Sequence, residues 1–388
     1  MSGAGRRRFL FVVPPLAGHV NPASAVAWEL AQRGHEVAWA GSRSRLAAML
    51  GPDATVYQTG MRLHRGLSDT GTAAVKSLWE GFIVPFARFT LPGVDKAVHE
   101  YQPDVLAVDQ AALSGALVAQ RHNLPWASMC ASTMELGHPL AALPKVDAWV
   151  RGHMTALRAE AGLPPDGDAD LRFSPHLVIA FTGAALAGDS FPPHFALVGA
   201  SVGPRPASPA FQWDFLDRAR RAVLVTVGTL AETIATGPAD FYTRAVEALL
   251  PLGERVQGIV VAPEGMFSGL PEHILMAPRV PLLDLLPHMA AVVSHGGLNT
   301  VSEAMAAGVP LVVAPIRHDQ PINAAQVAAA GAGIRVKFGR VSPAELRAAL
   351  LSVLDDPSYR AAARRASESY LAAGGAKTAA DHLERLAM

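Results

Sequence analysis

The sequence predicts an α/β fold built as two parallel-sheet domains in tandem, on three observations. Short continuous apolar runs alternate with segments of helical periodicity, as in strands buried on both faces and joined by crossover helices. The alternation occurs twice, on either side of Gly199–Pro209, a stretch dense in Gly, Pro and Ser that reads as a linker. The chain has 388 residues, half of them hydrophobic. At roughly 100–200 residues per domain, that is enough for two separate cores.

Phe9–Val13 is the first buried strand. The Arg6-Arg7-Arg8 run before it imitates the start of a signal peptide, but the apolar run is short, Pro14-Pro15 breaks it, and no small-residue cleavage site follows. No later stretch reaches the roughly 18 uninterrupted apolar residues of a membrane helix. Pro22–Arg33 reads as a helix, with Val26 and Leu30 at helical spacing and Gly34 at its C-terminal cap. His19 falls in the loop between. Glu36–Ala40, Ala54–Gln58, Val105–Val108 and Trp126–Met129 are further strands, with a helix over Ala111–His122. The stretches from Thr59 to Val98 and from Cys130 to Phe173 are looser and rich in Trp, Phe and Met. They are either ligand-binding loops or helices that cover the sheet. Leu177–Ala180 and Phe195–Val198 complete the first set of strands.

The second set has strands at Ala222–Val227, Gly258–Ala262, Ile274–Met276, Ala291–Ser294 and Leu311–Ala314. Helices are expected at Pro238–Leu250, at Leu298–Ala307 before Gly308, and at Pro343–Leu354, where Ser342 and Glu345 form a capping box. The remainder, through Lys377–Leu386, reads as helical. The domains are placed at residues 1–203 and 204–372, with a C-terminal helix over 373–388 that packs back on the first domain.

Several function classes are disfavoured. Lys+Arg and Asp+Glu balance at 33 each, so no basic face for nucleic acid is expected. The single cysteine, Cys130, cannot form an internal disulfide or a cysteine-rich zinc site, and it suits a reducing cytoplasm. Asp166–Asp170 alternates like a calcium loop, but Leu171 and Leu177 stand where that loop needs Gly and Glu, so a solvated turn is expected. No G-x-G-x-x-G follows a strand, which disfavours a nicotinamide dinucleotide enzyme. No ligand cluster has zinc spacing, and no metal site is expected.

The most informative stretch is Val293–Ala304, VSHGGLNTVSEA. A strand ends, two glycines follow, and a helix begins near Leu298. That geometry aims unpaired backbone N–H groups and a helix dipole at one spot. Gly296 and Gly297 admit an anion, His295, Asn299 and Thr300 add donors, and Glu303 is placed to accept from a ribose hydroxyl. The alternative is a tight turn with polar caps. Asp319-Gln320 follows the next strand and would lie beside the same spot, where a carboxylate and an amide suit sugar hydroxyls. Alternatively, Asp319 only caps the helix that begins at Pro321.

His295-Gly-Gly-Leu-Asn-Thr, Glu303, Gly308-Val-Pro, Pro315 and Asp319-Gln320 closely resemble the donor-binding signature of the UDP-glycosyltransferase superfamily. The resemblance extends to Gly18–Pro22 and Val225–Thr229, covers nearly the whole chain, and is strongest to bacterial natural-product glycosyltransferases. It implies the GT-B fold, two Rossmann-like domains facing across a cleft. It implies that His295 and the Gly297, Leu298, Asn299, Thr300 turn hold the diphosphate, with Thr229 contacting it from another loop. It assigns Glu303 to the ribose, Asp319 and Gln320 to sugar hydroxyls, and Arg279-Val280-Pro281 to the base. Arg279 and Leu282 stand where the plant form of the signature has Trp and Gln, which leaves UDP and dTDP both open.

In a parallel sheet the His19 loop and the end of the Asp109 strand emerge at one edge, so the two side chains can meet. From the residues alone, His19 is a hydrogen-bonding loop residue or a base, and Asp109 a helix cap or its partner. The resemblance implies a general base oriented by a carboxylate. The expected activity is inverting, metal-independent sugar transfer to an apolar acceptor such as a polyketide or macrolide, contacted by Trp79, Phe82, Phe86 and Met134. No cofactor is expected beyond the nucleotide diphosphate sugar, which is a co-substrate. A homodimer is compatible with this. The rivals are an enzyme acting on a lipid-linked precursor, a sugar-nucleotide epimerase, and a non-catalytic sugar-nucleotide-binding activator.

Overall fold

The computed structural model describes residues 5–60, 71–133, 136, 139–164, 170–204, 209–228 and 238–388. Among these, the first half of the chain runs β1 (Arg8–Val12), α1 (Ala17–Gln32), β2 (Glu36–Gly41), α2 (Arg43–Leu50), β3 (Val56–Gln58), α3 (Gly71–Leu78), α4 (Val84–Tyr101), β4 (Val105–Asp109), α5 (Leu113–Arg121), β5 (Trp126–Cys130), α6 (Pro144–Glu160), β6 (Leu177–Ala180), α7 (Ala184–Ala187) and β7 (Phe195–Leu197). The second half runs β8 (Arg221–Thr226), α8 (Pro238–Leu249), β9 (Val256–Val261), β10 (Ile274–Ala277), α9 (Leu282–Leu285), β11 (Met289–Ser294), α10 (Leu298–Ala306), β12 (Leu311–Val313), α11 (Gln320–Ala329) and β13 (Gly333–Arg335). It closes with α12 (Pro343–Asp355), α13 (Pro357–Ala372) and α14 (Gly375–Leu386). No described helix is long and apolar enough to cross a membrane.

The chain divides into two compact units. The first comprises Met1–Phe181, Asp189–Pro206 and Ala373–Met388; the second comprises Thr182–Gly188 and Ala207–Ala372. Helix α14 therefore belongs to the first unit, although it is the last element of the chain.

In the first unit the strands form one parallel sheet in the order β3-β2-β1-β4-β5-β6-β7. Side chains alternate across a strand, and β1 shows why its sequence is continuously apolar. Phe9 and Phe11 pack on one face with Val26 and Leu30 of α1 and with Ala379 and Leu383 of α14. Leu10 and Val12 pack on the other face with residues of α4 and α5. The second unit has a parallel sheet in the order β10-β9-β8-β11-β12-β13. Its helix α12 opens with the complete Ser342–Glu345 capping box.

One expectation changes and one open alternative is resolved. Helix α1 starts at Ala17, not at Pro22, so His19 lies in its first turn rather than in a loop. Pro22 lies inside this helix, where it has no N–H to give the Gly18 carbonyl. The described residues between Thr59 and Val98 form α3, a π-helical segment Trp79–Ile83, and α4, helices that cover the sheet. Trp79 is fully buried, and Phe82 and Phe86 are buried with it in the core against α5. The structure thus places these three aromatics in helical core segments, and the buried indole N–H of Trp79 has no hydrogen-bond partner. Met134 lies outside the described residues.

Candidate active site

Both sheets reverse their strand order once: β1 lies between β2 and β4, and β8 lies between β9 and β11. The carboxyl edge at such a switch point is where open α/β sheets bind ligands, because the two flanking connections leave in opposite directions and open a crevice. His19 and Asp109 sit at the first of these points and His295 at the second.

In the first unit, β1 and β4 pair in register at Val12↔Val108. One residue beyond that pair, Asp109 ends β4; α1 begins after β1 and carries His19 in its first turn. The His19 Nδ1–H donates to Asp109 Oδ2 at 2.8 Å. Asp109 is 1% exposed, whereas 20% of the His19 side chain meets solvent. The other carboxylate oxygen accepts from the Ala111 amide at 2.9 Å. Asp109 therefore does both jobs that the sequence allowed: it holds the turn before α5 and orients the imidazole. A carboxylate only accepts, so Nδ1 carries the proton and the lone pair lies on Nε2.

In the second unit, β8 and β11 pair at Thr226↔Ser294, and His295 follows. Its imidazole is 5% exposed. It donates to the Thr226 carbonyl, while Nδ1 has no partner, so the proton is on Nε2. Burial pushes its pKa down to about 4, and the ring is neutral at physiological pH. Two glycines abut it. A Cβ at Gly228 would stand 2.6 Å from Cε1, and one at Gly297 2.6 Å from Nε2. The space these glycines leave is what the ring occupies.

Gly296 adopts φ +82°, a conformation that costs a residue with a Cβ but not glycine. Its amide donates to Ser294 Oγ at 2.9 Å. Gly297 is the N-cap of α10 and offers no side chain to that helix's first amides; the N-terminal end of a helix favours an anion. Leu298, Thr300 and Glu303 are buried, and Asn299 is half-buried. Arg279 is exposed and Val280 half-buried in the short link between β10 and α9. Thr229 lies outside the described residues.

Asp319 and Gln320 stand at the start of α11, beyond the end of β12. Gln320 is 2% exposed, and its side-chain oxygen accepts from the amides of Ile316 and Arg317 at 2.9 and 3.0 Å. The structure therefore gives this oxygen to the loop rather than to a sugar hydroxyl. Asp319 Oδ2 accepts from Asn323 Nδ2 at 3.1 Å, and the same nitrogen donates to the Gly296 carbonyl at 2.8 Å. Sequence reasoning missed Asn323. Its four-residue spacing from Asp319 at a helix start was a local signal, but its contact with Gly296 was not. Among the described residues, no group of three or more His, Cys, Asp or Glu could hold a metal ion.

Comparison with known proteins agrees with this architecture. Residues 253–386 match the family described as erythromycin biosynthesis protein CIII-like, C-terminal domain. The chain is 27% identical to the NDP-glycosyltransferase YjiC of Bacillus subtilis, covering 95% of each protein. It is 29% identical to the demethyllactenocin mycarosyltransferase of Streptomyces fradiae, covering 97% of this chain and 86% of that one. The solved structure of the spinosyn rhamnosyltransferase SpnG with thymidine diphosphate superposes with a TM-score of 0.78 at 25% identity, covering 97% of this chain and all of that one. Sheet order, matched domain and relatives converge: this chain is a glycosyltransferase with the GT-B fold, and its relatives include bacterial natural-product glycosyltransferases.

Proposed function

We propose that the protein transfers a sugar from a nucleoside diphosphate sugar to a hydroxyl of an apolar natural-product acceptor, with inversion at the anomeric carbon. The observation that carries this is the 2.8 Å pair of His19 with the buried Asp109. Nε2 of His19 takes the acceptor's hydroxyl proton, and the oxygen attacks C1 of the sugar. The C1–O bond breaks, and its electrons pass to the β-phosphate oxygen. Asp109 holds the imidazole in the basic tautomer and stabilises the imidazolium that forms. The first amides of α10 and the His295 side chain receive the growing phosphate charge. Glu303 holds the ribose, and Asp319 the sugar. Arg279 and Val280 flank the base, and Thr229 completes the phosphate contacts.

The names of the relatives support the two substrate classes: one is an NDP-glycosyltransferase, and another transfers mycarose to demethyllactenocin. A single cysteine, buried and in no disulfide, suits the cytoplasm, where sugar nucleotides are made. The test is incubation with UDP- and dTDP-sugars and a panel of polyketide, macrolide and flavonoid acceptors. The expected outcome is a hexose mass gain on acceptor and an inverted anomeric configuration by NMR. Hydrolysis of the donor alone, or epimerisation without transfer, would overturn the proposal.

A further inference from the structure

One amide side chain joins the two loops assigned above to different ends of the donor. Asn323 is 1% exposed, in the first turn of α11. Its Nδ2 reaches the Gly296 carbonyl at 2.8 Å and Asp319 Oδ2 at 3.1 Å, so both of its hydrogens are engaged. Gly296 belongs to the turn whose next residue caps α10, the phosphate end. Asp319 belongs to the loop after β12, the sugar end. The rest of that loop is held separately, by the Gln320 oxygen on the amides of Ile316 and Arg317. The Asn323 backbone amide also bonds the Asp319 carbonyl at 2.9 Å. The backbone at Asp319 is therefore pinned twice without the Asn323 side chain. What the side chain adds is the orientation of the carboxylate relative to the turn.

We propose that Asn323 is a positioning residue that sets the Asp319 carboxylate in register with the diphosphate turn, and so selects the intact sugar nucleotide over the free diphosphate. This rests on the assignment of Asp319 to the sugar made above. Carboxylates are mobile about their terminal torsion. A fixed donor one turn along the same helix removes that freedom before the donor substrate arrives, which is how a supporting side chain raises selectivity without touching the ligand.

The test is a double-mutant cycle of Asn323→Ala with Asp319→Ala on the full chain. UDP and dTDP binding is read by calorimetry, and kcat and KM with UDP-glucose and dTDP-glucose by product formation. For the single variant Asn323→Ala, affinity for the free diphosphate stays within about threefold, while KM for the sugar nucleotide rises about tenfold or more, on the scale of coupling between contacting residues. In the Asp319→Ala background the same change costs less than about twofold, because its target is gone. Equal losses for the diphosphate and the sugar nucleotide, or an additive cycle, would overturn the proposal. Should Asn323→Ala not fold, Asn323→Ser carries the same cycle; failure of both to fold also overturns it, since the residue would then serve the fold. If Asp319→Ala alone leaves sugar-nucleotide use unchanged, the assignment of Asp319 fails and this proposal with it. If Asp319→Ala is selective but the cycle is additive, only the role of Asn323 fails.

Discussion

Asp109 and His19 lie 90 positions apart in the chain, yet their side chains meet at 2.8 Å across the switch point of the first sheet. The same carboxylate accepts from the Ala111 amide, so the orienting group is itself held by the turn that follows its strand. Both carboxylate oxygens of Asp109 are therefore engaged, one by the turn and one by the imidazole.

Removing the base tests its role directly. His19→Ala is expected to lower kcat on a plain alcohol acceptor by roughly 100-fold or more, the usual scale for a general base, with sugar-nucleotide binding hardly changed. Asp109→Asn is expected to lose less, since the imidazole stays while its orientation and charge partner suffer. An acidic phenol acceptor, already ionised, should suffer least from His19→Ala. Steady-state kinetics on the three proteins checks this. Near-normal turnover of an alcohol by His19→Ala would make the histidine structural.

The slot around His295 gives a steric prediction. Gly297 has an ordinary helical-cap backbone, so adding a methyl group costs nothing in conformation. A Cβ there would nonetheless stand 2.6 Å from the imidazole Nε2, and the ring must move off its Thr226 bond. Gly297→Ala is expected to destabilise the protein by about 1–3 kcal/mol, the scale of overpacking, and to weaken nucleoside diphosphate binding about tenfold or more. Thermal melting and calorimetry read the two effects. A variant unchanged in both would show that the ring has room to spare.

Acid should weaken the protein through the same residue. Burial depresses the His295 pKa from the ordinary 6.5 to about 4. Between those values the unfolded chain binds the proton and the folded chain does not. The stability this group contributes is therefore complete above about pH 6.5 and is lost as pH falls towards 4. His318, also depressed to about 4 by burial and by Arg317, acts in the same direction. Melting curves from pH 7.5 to 5 should thus fall, and His295→Gln, which carries no titratable ring, should flatten the slope. An unchanged pH slope in His295→Gln would show that this ring does not titrate between the two states.

Metal independence follows from the assignment of phosphate charge to the α10 amides and His295. Activity is expected to persist in excess EDTA. Loss in EDTA with recovery in magnesium or manganese would show that a divalent ion shares that task.

Much of the fold is legible locally. Continuous apolar runs at Phe9–Val13 and Leu311–Ala314 mark strands buried on both faces, and the structure places β1 and β12 there within a residue. The Ser342–Glu345 capping box is equally local, since both of its hydrogen bonds close within four residues. The glycine turn before α10 is visible because a strand, two glycines and a helix start occupy consecutive positions. The start of α1 was not legible in this way: Pro22 usually marks a helix start, and only the packing of the preceding turn shows that it lies inside one. Nor was burial of Trp79 and Phe86, because an aromatic-rich segment reads alike as loop or core until its neighbours are known.

The sequence by itself determined the strand and helix alternation, the two-sheet plan and the motif around His295, because backbone periodicity and turn chemistry act over a few residues. Only the tertiary structure decided which of those residues meet. Strand order sets His19 against Asp109, and the β11–β12 pairing brings Gly296 within reach of Asn323. Each of these depends on the register between segments distant in the chain, and register is settled by how whole faces pack, not by any one stretch of residues.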